Sequence, residues 1–129
     1  MQQPLSRRLR LASDDAFFIL LRAREFDDVM GPADLLVPAL DDDDDAMEAE
    51  LAAAIGQLDD GALTDLVALI WLGRCDFAAS EWGQARRAAG KLGRERAPEY
   101  VTALPMVSDY LEQGLSQFGH TLAQYVETH

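Results

Sequence analysis

Cysteine and histidine are scarce in this chain, and their scarcity limits the chemistry that its side chains can perform. The 129 residues include one cysteine, Cys75, and two histidines, His120 and His129. A lone thiol cannot form an internal disulfide, which suits a reducing cytoplasm. A structural zinc site usually takes four ligands from Cys and His, and this chain has only three such residues. The composition therefore predicts a cytoplasmic protein without a metal ion or a cofactor.

Long apolar runs are absent as well. The longest one, residues 66–72, is far shorter than the ~18 residues that a membrane-spanning helix needs. The N-terminal segment 1–10 contains three arginines but no apolar segment of the kind that a secretory signal requires. We therefore expect neither a membrane-spanning segment nor a secretory signal.

Basic residues are missing from a long stretch of the chain. Residues 25–73 contain no Lys or Arg but fourteen Asp and Glu, and the formal net charge of the chain is −12. This charge opposes binding to a phosphate backbone, so nucleic acid is the least favoured partner. The basic residues that follow cluster at Arg86, Arg87, Lys91, Arg94 and Arg96. Two interpretations of this cluster stay open: a face neutralised by acidic neighbours, or a surface that docks an acidic partner.

Five consecutive aspartates, Asp41–Asp45, stand out in the acidic half of the chain. An EF-hand calcium loop needs alternating ligands, a central glycine and a distal glutamate, and this run lacks that arrangement. A solvated acidic loop therefore explains the aspartates better than a cation site does. We predict such a loop over residues 31–45, ahead of the next helix.

Apolar residues recur every three or four positions, and no stretch shows the alternation of a β-strand. The pattern predicts an all-α fold with one domain over residues 1–129, in which residues 1–12 form a flexible arm. About five to six helices should pack around the helix near residues 60–73, which is apolar almost all round. The predicted helices cover about 13–30, 46–58, 60–73, 81–92, 98–103 and 105–118, with a frayed last helix within 120–127. Arg86, Arg87 and Lys91 should face solvent.

The segment Trp71–Phe77 is the most distinctive part of the sequence. An apolar helix stops there, with Gly73 expected as a left-handed C-cap, and Arg74, Cys75 and Asp76 follow in a turn. Cys75 is a poor nucleophile at this place, because the dipole at a helix C-terminus opposes a thiolate. The segment therefore provides charged and aromatic side chains but no catalytic nucleophile.

This segment resembles a family of uncharacterised proteins, mostly from alphaproteobacteria, whose core reads approximately Leu-Val-Ala-Leu-x-Trp-Leu-Gly-Arg-Gly-Asp-Phe. The match covers Leu66–Arg74 and Asp76–Phe77, and Cys75 takes the place of a glycine. Later matching positions are Trp82, Pro105 and the run Asp109–Leu115. The resemblance covers about residues 48–119. It implies a helical fold and, because the family is a domain of unknown function, no activity.

Arg74 has two interpretations. In the structural one, Arg74 forms a charge-assisted hydrogen bond with Asp109 or Glu112 on the last helix, and Asp76 caps the turn. In the functional one, Arg74 clamps an anion in a cleft between the two helices, with Asp76, Asp109 or Glu112 as acid/base groups. The whole candidate cluster consists of Trp71, Arg74, Asp76, Phe77, Trp82, Asp109, Tyr110 and Glu112.

Two features indicate close contact between apolar surfaces. Gly114 lies in the middle of an amphipathic helix, where it costs about 1 kcal/mol relative to Ala, so we expect another helix to approach closely there. That helix is either the third helix of the same chain or a helix of a second copy. The first helix is apolar over most of its circumference, with Phe17, Phe18, Leu20 and Leu21. A homodimer would cover such a surface.

The sequence favours a non-enzymatic protein-interaction or regulatory module that presents an acidic surface to a protein partner or to a second copy. The alternative is a small-ligand-binding protein or an enzyme that uses Arg74 as an anion clamp. A nucleic-acid-binding face ranks third because of the net charge. No catalytic, cofactor-binding or metal-binding residue is assigned.

Overall fold

Six α-helices follow one another in this computed structural model, which describes residues 9–30 and 42–121. A short 3₁₀ turn precedes the fourth helix, and there is no strand within the described ranges. This confirms the prediction of an all-α fold. None of the helices in these ranges has the length and hydrophobicity needed to cross a membrane. The helices are α1 (Ser13–Met30), α2 (Asp42–Gly56), α3 (Asp60–Gly73), α4 (Trp82–Gly90), α5 (Ala97–Ala103) and α6 (Val107–Gln117).

α3 lies at the centre of the fold. It packs against α4, α5 and α6, while α1 packs against α2 and α6, and α2 also contacts α5. Leu66, Leu69 and Ile70 of α3 are completely buried, as expected for a helix that is apolar on almost every face. Burying one such side chain contributes roughly 1.5–3 kcal/mol to the stability of the fold. The arrangement confirms the predicted array around the helix near residues 60–73.

Side chains satisfy the backbone groups at the starts of α3 and α6. Asp59 is the N-cap of α3 and accepts a hydrogen bond from the N–H of Ala62 at 2.8 Å. At the start of α6, the carboxylate of Asp27 on α1 accepts hydrogen bonds from the N–H and the hydroxyl of Ser108, at 3.1 and 2.8 Å. A capping interaction of this kind contributes about 1 kcal/mol. These caps favour the observed starts of α3 and α6.

α2 begins earlier than predicted. Its first residue is Asp42, so the prediction of a loop over residues 31–45 is wrong for residues 42–45. Aspartate is favourable in the first turn of a helix, because the helix dipole places partial positive charge there. Residues 31–41 are not among the described residues, and the loop stays a prediction for them.

The predicted flexible arm, residues 1–12, is wrong for its last residues. Leu11 is 3% exposed and belongs to the hydrophobic core. The backbone N–H groups of Arg10 and Leu11 both donate to the carboxylate of Asp65 in α3. Burial and hydrogen bonding therefore hold residues 9–12 in place. The rest of the arm, residues 1–8, and most of the predicted last helix, within residues 122–129, lie outside the described part of the chain.

Candidate functional site

α3 ends in a Schellman motif at Cys75. This residue has a φ of 70°, in the left-handed region, and the N–H groups of Cys75 and Asp76 donate to carbonyls in the last turn of α3 at 3.0 and 2.9 Å. The expectation that Gly73 is the left-handed residue is therefore wrong. The motif turns the chain sharply enough for the ring of Phe77 to come back to that of Trp71.

Two glycines set the crossing of α3 and α6. A Cβ atom on Gly73 would lie 1.8 Å from the carbonyl oxygen of Tyr110, and one on Gly114 would lie 2.1 Å from the carbonyl oxygen of Leu69. Because both obstacles are backbone atoms, only glycine permits this approach. The predicted close contact at Gly114 is confirmed, and the neighbouring helix is the third helix of the same chain. The crossing brings Tyr110 beside the end of α3.

Aromatic side chains surround the end of α3. The ring centroid of Trp71 lies 6.1 Å from that of Phe77 and 6.3 Å from that of Tyr100, which it meets edge-on. The indole Nε1–H of Trp71 donates to the hydroxyl oxygen of Tyr100 at 2.8 Å. Tyr100, on α5, is absent from the set of residues predicted from sequence. We call Trp71, Arg74, Phe77, Tyr100 and Tyr110 the α3-end cluster.

Arg74 is held weakly within the α3-end cluster. Its Cζ atom lies 5.8 Å from the ring centroid of Tyr110, within the range of a cation–π contact. Its Nη1 lies 3.5 Å from the Tyr100 hydroxyl and its Nε lies 3.5 Å from a carboxylate oxygen of Asp76. Both distances are at the outer limit for a hydrogen bond. The Arg74 side chain is 34% exposed, and its polar contacts with the described residues are all long.

Asp109 and Glu112 bind Arg24 of α1. A guanidinium nitrogen of Arg24 donates to Glu112 at 2.8 Å and to Asp109 at 3.2 Å. The hydrogen bond to Glu112 raises the pKa of Arg24, against the opposing effect of burial. The predicted contact of Arg74 with either carboxylate is therefore wrong. Asp109 and Glu112 share the face of α6 toward α1, whereas Tyr110 is rotated by about 100° and meets α3.

Trp82 also lies away from the α3-end cluster. It is 5% exposed and packs edge-on against Phe118, with ring centroids 4.7 Å apart. Its buried indole nitrogen has no hydrogen-bond partner among the described residues. Of the predicted site residues, the structure brings together Trp71, Arg74, Asp76, Phe77 and Tyr110, and it places Trp82, Asp109 and Glu112 elsewhere.

Asp65 is a buried charged residue that the sequence analysis missed. It is completely buried in α3, and its carboxylate accepts hydrogen bonds from the N–H groups of Arg10 and Leu11 and from Nε of Arg86, the last at 2.6 Å. A single carboxylate within an apolar helix was the available signal, because buried charges require partners. The prediction that Arg86 faces solvent is wrong, since Arg86 ties α4 to α3.

Arg94 forms hydrogen bonds that stabilise the fold. Its guanidinium donates to the carbonyl oxygens of Gly56 and Leu58 at 2.9 and 2.6 Å and to the carboxylate of Asp60 at 2.8 Å. These bonds close the turn between α2 and α3. Arg86 and Arg94 thus agree with the interpretation of the basic residues as groups neutralised by acidic neighbours.

α1 leaves large apolar side chains in solvent. Phe18 is 48% exposed and Leu21, one turn further on, is 38% exposed. The guanidinium carbon of Arg22 lies 5.3 Å from the ring centroid of Phe18. Phe18 also lines a cavity of about 280 Å³ between α1 and α2, together with Ile19 and Leu58. We call Phe18 and Leu21 the α1 patch.

These observations define a small, acidic, all-α domain with a partly exposed arginine among aromatic side chains. Residues 48–120 match the model of a family described as protein of unknown function (DUF3775). Because the match covers more than half of the 129 residues, the chain belongs to this family. The matched range contains the whole α3-end cluster. No curated protein and no solved structure matches the chain.

Proposed function

We propose that this chain is a non-enzymatic protein-interaction or regulatory module that associates with a second copy of itself through the α1 patch. The observation that carries the proposal is the exposure of Phe18 and Leu21 on one helix face. Removing apolar surface from water contributes about 25 cal/mol per Å². A net charge of −12 makes the remaining surface acidic toward any further protein partner.

The charges beside the α1 patch favour a second copy as the partner. Arg22 and Glu25 lie one turn apart on α1, with their side chains 43% and 60% exposed and only 3.4 Å between the closest charged atoms. If two α1 helices pack antiparallel about a twofold axis that passes between Phe18 and Leu21, Arg22 of each copy lies within about 3 Å, measured along the helix axis, of Asp15 of the other. Arg22 would then exchange its long contact with Glu25 for an oppositely charged partner across the interface.

Analytical ultracentrifugation over a series of protein concentrations tests the proposal. We expect the wild-type chain to form a dimer at concentrations on the order of 100 µM, and the Phe18→Asp and Leu21→Asp variants to sediment as monomers. Met106→Asp is the matched control, because Met106 is 54% exposed but precedes α6 and lies outside the α1 patch. This control should remain a dimer.

Salt provides a second check on the same association. Each copy carries a net charge of −12, so the copies repel one another at long range. Raising the ionic strength screens this repulsion and should strengthen the dimer. A wild-type monomer at every concentration and salt, or equal dissociation of the Met106→Asp control, would overturn the proposal.

A second candidate function is the binding of a small ligand by Arg74. The observation in its favour is the length of both contacts of Arg74, 3.5 Å to Tyr100 and 3.5 Å to Asp76. Asp109 and Glu112 are already bound to Arg24 and do not supply acid/base groups beside Arg74. This candidate is therefore one of binding without catalysis.

We also propose that the core Trp71–Phe77 is shared across this family, in bacterial and cytoplasmic proteins. Two roles of this segment support the proposal. Gly73 permits the close crossing of α3 and α6, and Trp71, Arg74 and Phe77 contribute to the α3-end cluster. An alignment of family members tests this proposal. We expect glycine at the positions of Gly73 and Gly114, and any larger residue common at either position would count against it.

A further inference from the structure

We propose that the α3-end cluster binds a carboxylate that carries an adjacent apolar or aromatic group. The proposal rests on the second candidate function, ligand binding by Arg74, and not on association through the α1 patch. Its first support is the difference between Arg74 and three other arginines of the chain. Arg24, Arg86 and Arg94 each have a carboxylate oxygen within 2.8 Å, as the pairs Arg24–Glu112, Arg86–Asp65 and Arg94–Asp60. The nearest carboxylate oxygen of Arg74 is at 3.5 Å.

The hydroxyl of Tyr100 supplies a second donor beside Arg74. Its oxygen accepts a short hydrogen bond from Trp71 and a long one from Arg74, at 2.8 and 3.5 Å. A phenol can accept two hydrogen bonds and donate one, so these two contacts leave its proton for another acceptor. The structure gives this proton no acceptor among the described residues. Arg74 and Tyr100 therefore offer donors to one incoming anion.

Charge and geometry favour a carboxylate over a phosphate. A guanidinium nitrogen and a hydroxyl at neighbouring positions match the two oxygens of one planar carboxylate. Asp76, 3.5 Å from Arg74, already offsets part of the local positive charge. The rest of the chain is strongly acidic, with a net charge of −12. A single negative charge is therefore accommodated better than the two of a phosphate monoester.

The aromatic rings around Arg74 favour an apolar group next to the carboxylate. Trp71, Phe77, Tyr100 and Tyr110 are all half-buried, so each keeps part of its surface in solvent. An aromatic ring that contacts them gains from apolar burial and from edge-on or offset ring contacts. The contact of Arg74 with the ring of Tyr110 helps to orient the guanidinium before a ligand arrives.

Nuclear magnetic resonance of the ¹⁵N-labelled full chain tests the proposal, with sodium phenylacetate as the probe. The chain has two tryptophans, so the spectrum contains two indole N–H signals, which the Trp82→Phe variant assigns. We expect the signal of Trp71 to shift and saturate at millimolar phenylacetate, because its N–H bonds to Tyr100. The signal of Trp82 should shift much less. Acetate, phosphate and the neutral phenylacetamide should produce little change.

Three variants separate this site from non-specific ion binding. Arg74→Gln should weaken phenylacetate binding at least ~10-fold, and Tyr100→Phe should weaken it about 3-fold. Asp76→Asn should tighten binding about 2-fold, because Asp76 competes with the ligand for Arg74. Arg87→Gln, which removes an exposed arginine of α4, is the matched control and should bind as the wild type does.

A short peptide ending in phenylalanine distinguishes two sources of the carboxylate. If the peptide with a free C-terminus binds more tightly than phenylacetate, and its amidated form does not bind, the ligand is a peptide terminus. If phenylacetate binds at least as tightly, the ligand is a small acid. The proposal is overturned if the Trp71 signal shifts without saturation, if phenylacetamide is equally effective, or if Arg74→Gln binds like the wild type.

Discussion

Charged side chains are held tightly at the start and in the body of α3, and loosely at its end. Asp60 and Asp65 lie 2.8 and 2.6 Å from the guanidinium groups of Arg94 and Arg86, and Asp65 is completely buried. At the end of the helix, Arg74 and Asp76 are 3.5 Å apart and partly exposed. A hydrogen-bonded buried pair stabilises a fold only when every partner is present, whereas an exposed pair contributes little. The buried pair Arg86–Asp65 therefore serves the fold, whereas the exposed pair Arg74–Asp76 contributes little to it and contains the arginine for which we propose a ligand.

The largest effect should come from Asp65→Ala. This variant leaves Arg86 without its carboxylate and leaves two backbone N–H groups without an acceptor, so we expect a loss of about 3 kcal/mol in the free energy of unfolding. Urea denaturation followed by circular dichroism measures it. Asp60→Ala is the control, because that side chain is 89% exposed, and it should lose no more than about 1 kcal/mol. Equal losses of unfolding free energy in both variants would show that the buried and the exposed carboxylate contribute equally to stability.

Gly114→Ala should have the next largest effect. The added Cβ atom would meet the carbonyl oxygen of Leu69 at 2.1 Å, so α3 and α6 must move apart, at an expected loss of about 2 kcal/mol. Gly56→Ala is the matched control, since nothing lies within 4 Å of its added Cβ atom. Thermal unfolding of the control should show a stability within about 0.5 kcal/mol of the wild type or slightly above it. A Gly114→Ala variant as stable as this control would refute the tight crossing.

Cys75→Gly should raise stability by about 1 kcal/mol. Cys75 has a left-handed backbone, and glycine adopts this conformation without the steric strain that a Cβ atom introduces. Gly119→Ala makes the reverse change at the end of α6, where the glycine has a φ of 84°, and should lower stability by a similar amount. Chemical denaturation measures the free energy of unfolding of both variants and shows whether one rises and the other falls. Two changes of the same sign would contradict this reading of the helix ends.

The smallest effect belongs to the pair Arg74–Asp76. A double-mutant cycle with Arg74→Gln and Asp76→Asn should give a coupling energy below about 0.5 kcal/mol in the free energy of unfolding, because both side chains are more than a third exposed to solvent. A coupling energy above about 1.5 kcal/mol would show that the Arg74–Asp76 pair stabilises the fold, as the Arg86–Asp65 pair does.

Much of the backbone could be predicted from the sequence, because it depends on local signals. Apolar spacing placed the helices, and Gly114 marked the crossing with α6. Side-chain partners could not be predicted in the same way. Arg24 and Glu112 are 88 residues apart, and a rotation of one residue along α6 decides whether a carboxylate meets α1 or α3.

Only the part of the candidate site that depends on local sequence could be predicted. The local segment around Arg74 was found from its abrupt change of composition, whereas Tyr100 comes from another helix and carries no mark in the sequence. Its role depends on the packing of α5, which brings its hydroxyl within 2.8 Å of the Trp71 indole nitrogen. Gly73 suggested a left-handed residue at the wrong position, since this glycine is required by the close contact with Tyr110 and the left-handed residue is Cys75, two positions later.

The most direct measurement compares Arg74→Gln with Asp65→Asn, which neutralise one member of each kind of pair. Both the free energy of unfolding and the phenylacetate-induced shift of the Trp71 indole signal are recorded for each variant. We expect Arg74→Gln to stay within about 0.5 kcal/mol of the wild type and to lose the shift, and Asp65→Asn to lose about 2 kcal/mol and to keep it. Destabilisation of both variants by similar amounts, with the shift intact in Arg74→Gln, would contradict the division between the body of α3 and its end.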